Sequence, residues 1–429
     1  MAVADELARI IEAWLGTDLP VRIEAWDGSA AGPEDAATTL SFASPDALRR
    51  VLYAPNELGL ARAYVAGDID ILGDVFGVFA LRDAMASRAD EVRLDLGWPL
   101  RWELLRTARR LGVLGRPLPP PAEEARLSGW RHSRSRDAHA VAHHYDVSNE
   151  FYRLILGETM TYSCAYFASP ETTLDDAQRA KYEHICRKLG LRPGMRLLDV
   201  GCGWGGMPMH AAAEHGVTAV GITISRPQAE VAEKRVAEAG LADRVTIRLQ
   251  DYRALDERPF DAISSIGMFE HVGLSQLRAY FTKLYGLLRE GGRMLNHAIS
   301  RPDPTKAAYE PNTFIARYVF PDGELHEVGS VVTEIQRLGF EVRDVESLRE
   351  HYATTLRNWV TNLERGWEEA VRRVGAARAR IWRLYMAGSA VAFEAGRINV
   401  HQVLAVKPDR DGTSGMPTTR APWYAGPGI

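Results

Sequence analysis

In "LLDVGCGWGG", Asp199, Gly201, Gly203 and Gly205 stand at every second position, directly after a short apolar run. Glycines there let the backbone approach a ligand at the carboxyl edge of a strand, which is where an open α/β sheet binds. This loop alone leaves three readings open: a dinucleotide, S-adenosylmethionine (SAM), or glycines that merely turn the chain. A dinucleotide site wants G-x-G-x-x-G and an acid ending the next strand, about twenty residues on. Here the spacing differs, and the next apolar run ends "GITIS", with Thr223, Ile224, Ser225 and then Gln228. The run after that ends "QDY", where Asp251, beside Tyr252, is placed to accept from an adenine amino group. These residues favour SAM.

A second cluster is "MTYSCAYF", Met160 to Phe167, which sets Cys164 among Tyr162, Ser163, Tyr166 and Phe167. A nucleophilic cysteine needs an activating base and a substrate that forms a covalent intermediate. His143, His144 and Asp146 invite a metal, but the spacing lacks further convincing ligands, and no metal is expected. With only Cys164, Cys186 and Cys202, the chain has no disulfide framework, which fits a reducing cytoplasm.

The elements that must position these residues follow from periodicity. "MRLLDVG", "GVTAVGITIS", "RVTIRLQDY", "FDAISSIGM" and "GRMLNHAIS" read as five strands, with "FEVRDVESL" and "INVHQVLAVKP" as the last two. Helical patterns such as "RPQAEVAEKRVAEAG" separate them, which predicts a parallel α/β sheet covered on both faces. The helices between residues 352 and 395 exceed what a crossover needs and are expected to cover something. Ahead of this sheet, the chain alternates helical patterns with strand-like runs such as "PVRIEAW". The expected organisation is a small, mainly helical domain over 1–120, a linker over 121–140, a catalytic domain over 141–410 and a tail over 411–429. A net charge of −4 gives no global drive toward nucleic acid or an anionic membrane. The acidic start is unlike a signal peptide, and no apolar stretch reaches the ~20 residues of a membrane span. The stretch from Trp102 to Arg136 is locally different, with eight arginines against three glutamates. It reads as a solvated hinge or as a contact with phospholipid headgroups.

In order, "HHYDVSNEFYRLIL", "MTYSCAYF", "LLDVGCGWGG", "GITIS", "QDYR" and "MFEHVG" resemble the cyclopropane-fatty-acyl-phospholipid synthases, from about His143 to near Lys407. The resemblance implies a Rossmann-like class I SAM-dependent methyltransferase sheet with a helical cap. It implies methyl transfer from SAM to the double bond of an unsaturated phospholipid acyl chain, giving a cyclopropane or a methylene or 10-methyl chain. Carried over, it places Tyr145, Tyr162, Ser163 and Trp204 with the loop residues at the cofactor. A bicarbonate ion is implied at Cys164, Glu270, His297, Ile299 and Tyr352, with Tyr166, Phe167, Phe269 and Tyr318 along the acyl chain. A homodimer on the inner face of the membrane is expected, with a partner reductase if the product is a methylene chain. One departure stands out: after Phe320 to Leu325, "FPDGEL", this chain has His326-Glu327-Val328-Gly329 where the family continues Pro-Ser, which bears on the product. The competing reading is a small-molecule N- or O-methyltransferase on the same core, whose acceptor needs no anion pocket.

Overall fold

The computed structural model describes residues 2–81, 98–125, 148–303, 305 and 310–424. Most of the expected linker, together with His143, His144, Tyr145 and Asp146, lies outside the described residues. The chain divides into two compact units. The first comprises Met1–Arg126 with Glu310–Pro321 and Trp367–Val391, and the second holds the rest.

In the first unit, "RIEA" forms β1 (Arg22–Ala25), which pairs with β2 (Ala30–Ala31) and, in parallel, with β3 (Thr38–Phe42). Strand β4 (Ile69–Gly73) completes a sheet of order β2-β1-β3-β4. Helices Val3–Leu15, Asp46–Tyr53, Glu57–Ala66 and Trp98–Arg110 accompany it, so the unit is mainly helical.

All seven expected strands form in the second unit: β5 (Arg196–Val200), β6 (Thr218–Thr223), β7 (Val245–Leu249), β8 (Phe260–Ile266), β9 (Leu288–Ser300), β10 (Glu341–Ser347) and β11 (Asn399–Val406). Their order is β10-β11-β9-β8-β5-β6-β7. Strands β5 to β9 run parallel, but β11 runs antiparallel to both neighbours. Ser347 at the end of β10 pairs with His401 near the start of β11. The chain thus leaves and re-enters the sheet at one end and must run back. Side-chain alternation explains why the strands read as continuous apolar runs. Leu198 and Val200 enter one core with Val403 and Ala405, while Leu197 enters the opposite core with Leu295 and Leu404.

Candidate active site

The order of strands reverses at β5, the point where an open α/β sheet opens a crevice at its carboxyl edge. There a cavity opens, lined by the loop after β5, the ends of β6, β7 and β8, and residues 160–163. Gly201, Gly203 and Gly205 all adopt left-handed φ values of 80°, 52° and 82°, which L side chains resist. A Cβ on Gly201 would also meet the Met268 Cβ at 3.1 Å.

Tyr162, Ser163, Asp199, Gly201, Gly203, Trp204, Thr223, Ile224, Gln228, Asp251 and Tyr252 all line the cavity. Gly205 stands behind it, starting helix Gly206–His215. Asp199 is buried and accepts from the Ser264 hydroxyl at 2.6 Å; burial raises its pKa to about 6, against the pull of Ser264 and Lys181. Thr223 Oγ1 donates to Gln228 Oε1 at 2.9 Å. Arg253 holds the Asp251 carboxylate with Nε at 2.9 Å and Nη2 at 2.6 Å.

Sequence reasoning missed the support beneath "MTYSCAYF". Helix Leu174–Leu189 turns Gln178, Lys181 and Tyr182 toward it. Gln178 Nε2 donates to the carbonyls of Thr161 (3.3 Å) and Ser163 (2.9 Å), and Lys181 Nζ donates to Ser163 Oγ at 2.9 Å. The Tyr182 and Thr161 hydroxyls share a bond of 2.6 Å. Lys181 lines the cavity yet is 1% exposed, and burial pulls its pKa down to about 7. The available signal was polar residues at i, i+3 and i+4 on a helix's apolar face.

Four of the five residues implied for an anion, Cys164, Tyr352, Ile299 and Glu270, are joined by one strip of backbone. Cys164 Sγ donates to the Leu348 carbonyl at 3.6 Å, which also accepts the Tyr352 N–H at 3.1 Å. Leu348 N–H donates to Val400, the partner of Ile299 across β11 and β9, and Ile299 N–H donates to Glu270 Oε1 at 2.7 Å. Among the described residues, Glu270 Oε2 and His297 Nε2 are enclosed without a hydrogen-bond partner. Glu270 is half-buried as a residue, but its carboxyl is closed off, and burial raises its pKa to about 7 against the Ile299 N–H. Burial and the nearby Lys181 and Lys188 hold His297 neutral, with a pKa pushed down to about 3. Cys164 is fully buried, and burial pushes its thiol up, so it is not an activated nucleophile.

The residues expected along an acyl chain do not line the cavity. Tyr166 lies between His184 (4.8 Å) and His351 (4.7 Å), and the Phe167 ring is also stacked on His351. Phe269 is a core residue, packed on Phe281 and edge-on to His326 at 5.7 Å. Tyr318 belongs to the first unit, where its hydroxyl donates to Glu124 at 3.2 Å. The departing His326 is buried behind Phe269 and bridges to Ser300, while Glu324 N–H donates to the Glu270 carbonyl at 3.3 Å.

A family model described as mycolic acid cyclopropane synthetase matches residues 132–403. The chain belongs to this family. A probable fatty acid methyltransferase of Mycobacterium tuberculosis is 44% identical to this methyltransferase over 427 residues, 97% of this chain and 98% of that protein. A tuberculostearic acid methyltransferase of the same organism is 34% identical over 419 residues, 94% of this chain and 90% of its own. Among solved structures, a mycolic acid cyclopropane synthase complexed with SAH and CTAB is 36% identical with a TM-score of 0.59, over 62% of this chain and 97% of that one. The second unit of this methyltransferase thus has the class I SAM-dependent fold of cyclopropane synthases.

Proposed function

We propose that this methyltransferase moves the methyl group of SAM onto the cis double bond of an unsaturated fatty acyl chain in a phospholipid, at a membrane surface. The sulfur–methyl bond breaks, leaving S-adenosylhomocysteine, and the alkene's electron pair forms the new carbon–carbon bond. Positive charge is left on the neighbouring carbon. Loss of a proton from the new methyl closes a cyclopropane. A hydride shift that brings the charge onto the methyl-bearing carbon, followed by loss of a proton from that methyl, gives a methylene chain, which a partner reductase would convert to a 10-methyl chain. The chain's own contribution is to hold donor and alkene in line, which is worth up to roughly 7–11 kcal/mol of barrier, and to keep water from the cation.

The observation that carries this reading is the pair of enclosed, unpartnered atoms Glu270 Oε2 and His297 Nε2. Gln402 Nε2 faces His297 Nδ1 at 3.3 Å, which leaves the ring hydrogen on Nε2. Glu270, with its pKa near 7, carries a proton in much of the population at neutral pH. Two buried donors, each without a partner, suit the binding of a small oxyanion. Bicarbonate held there by Glu270, His297 and Tyr352 would supply a base for the proton loss. Ile299 acts through Glu270, which already takes its N–H. An amine or phenol acceptor would need no such recess.

The test is incubation of purified protein with SAM and oleoyl phospholipids, followed by mass spectrometry of the acyl chains. A gain of one CH2 per acyl chain is expected, and proton NMR then separates ring from methylene. No gain, with methylation of a soluble amine instead, overturns the reading.

A further inference from the structure

We propose that helix Trp98–Arg110 of the first unit is a docking face for an anionic lipid bilayer. This deepens the phospholipid reading and rests on it only for the activity part of the test below. The helix is apolar on two sides. Leu104, Thr107 and Ala108 are buried at 2%, 0% and 0% exposure, on the side toward helices Val3–Leu15 and Asp46–Tyr53. Trp98, Trp102 and Leu105 are 70%, 56% and 37% exposed. Their spacing of i, i+4 and i+7 makes one stripe. The rings of Trp98 and Trp102 meet edge-on, with centroids 6.1 Å apart. Large apolar side chains shown together to solvent mark an interaction surface.

Charge selects the partner. At a helix's 100° per residue, Arg109 continues the stripe while Arg101 and Arg106 flank it on either side. Arg106 and Arg109 are exposed. Glu103 is the helix's single acid against Arg101, Arg106, Arg109 and Arg110. Arg110 instead pairs with the buried Glu6 at 2.7 Å, which pins the helix end to its unit. Tryptophan rings sit at the headgroup level of a bilayer, and arginines beside them meet lipid phosphates. A second copy fits poorly, because a two-fold contact would set Arg106 and Arg109 against the same arginines. The protein's net charge of −4 supplies no such attraction, so the cationic patch is local.

The experiment uses the full chain and cosedimentation with phosphatidylcholine vesicles, with and without phosphatidylglycerol. Trp98→Ala with Trp102→Ala should weaken binding to both by at least about tenfold. Arg106→Gln with Arg109→Gln should cost about 30-fold on the anionic vesicles and little on the neutral ones. These side chains are exposed, so circular dichroism and melting should be unchanged. Unaltered vesicle binding in the tryptophan variant overturns the proposal. So does a change of oligomeric state with vesicle binding intact, which would make the stripe an interface between copies. The tryptophan variant should turn over a monomeric short-chain unsaturated phospholipid normally while losing turnover on vesicles. Wild type that binds vesicles yet methylates neither substrate would sink the substrate reading and leave the docking face standing.

Discussion

Cysteine, glutamate and histidine near a glycine loop were legible as residue types, but what each does depends on burial. Cys164 sits between two aromatic residues in sequence, a setting that equally fits a reactive thiol. The structure buries it fully and gives its Sγ the carbonyls of Ala165 at 3.2 Å and Leu348 at 3.6 Å. Burial pushes the thiol's pKa up, so at neutral pH it is protonated and a weak nucleophile. Cys164→Ala is therefore expected to keep methyl transfer within about tenfold, because no covalent step needs the sulfur. Native protein treated with iodoacetamide should show no label on Cys164 by peptide mass spectrometry. Abolished turnover together with rapid alkylation would restore the nucleophile. Lys181 shows the opposite case: a charged residue in a helix reads as solvent-facing, and nothing in its immediate sequence announces that it lies inside the cavity.

At the scale of elements, the seven strands were readable because each is an apolar run stopped by glycine or a polar turn. What periodicity could not give was the direction of β11, which is set by where the chain re-enters the sheet. Nor could it give the grip of helix Leu174–Leu189 on residues 160–164, since that grip consists of side chain to backbone bonds between distant segments. Those residues need holding: Met160, a buried non-glycine residue, has φ of 49°, in the left-handed region. Gln178 satisfies two carbonyls there and is itself fully buried. Gln178→Ala leaves both acceptors unpaired, at a cost of about 1–3 kcal/mol. The expected result is faster amide hydrogen exchange over residues 161–165 and weaker SAM binding by calorimetry, with exchange in β5 unchanged. Equal protection of the loop in variant and wild type would show that Gln178 does not hold it.

Across the second unit as a whole, sequence and structure differ most at the C-terminal end. Residues 411–429 form an aperiodic run rich in glycine and proline, which gives no signal of packing. Yet Trp423 is buried against the core behind β5, Arg420 reaches Asp344 at 2.7 Å, and the Tyr424 hydroxyl donates to Glu346 at 3.0 Å. Glu346 on β10 also meets Lys188 and, at 2.7 Å, His184, both on helix Leu174–Leu189. One carboxylate therefore ties an edge strand, the helix that supports the cavity and the chain's end. Burial alone would raise its pKa, but His184 and Lys188 outweigh that and bring it to about 2. A carboxylate held below its ordinary value gives stability that is complete above that ordinary value and lost as pH falls through the lowered one. Glu346→Gln should therefore unfold at lower urea than wild type at pH near 7. The gap should close progressively between about pH 5 and pH 2, as wild-type Glu346 takes up its proton. Urea midpoints for both proteins across that range measure this directly. A gap that stays constant down to the acid end would mean that the glutamate's charge does not tie these three elements together.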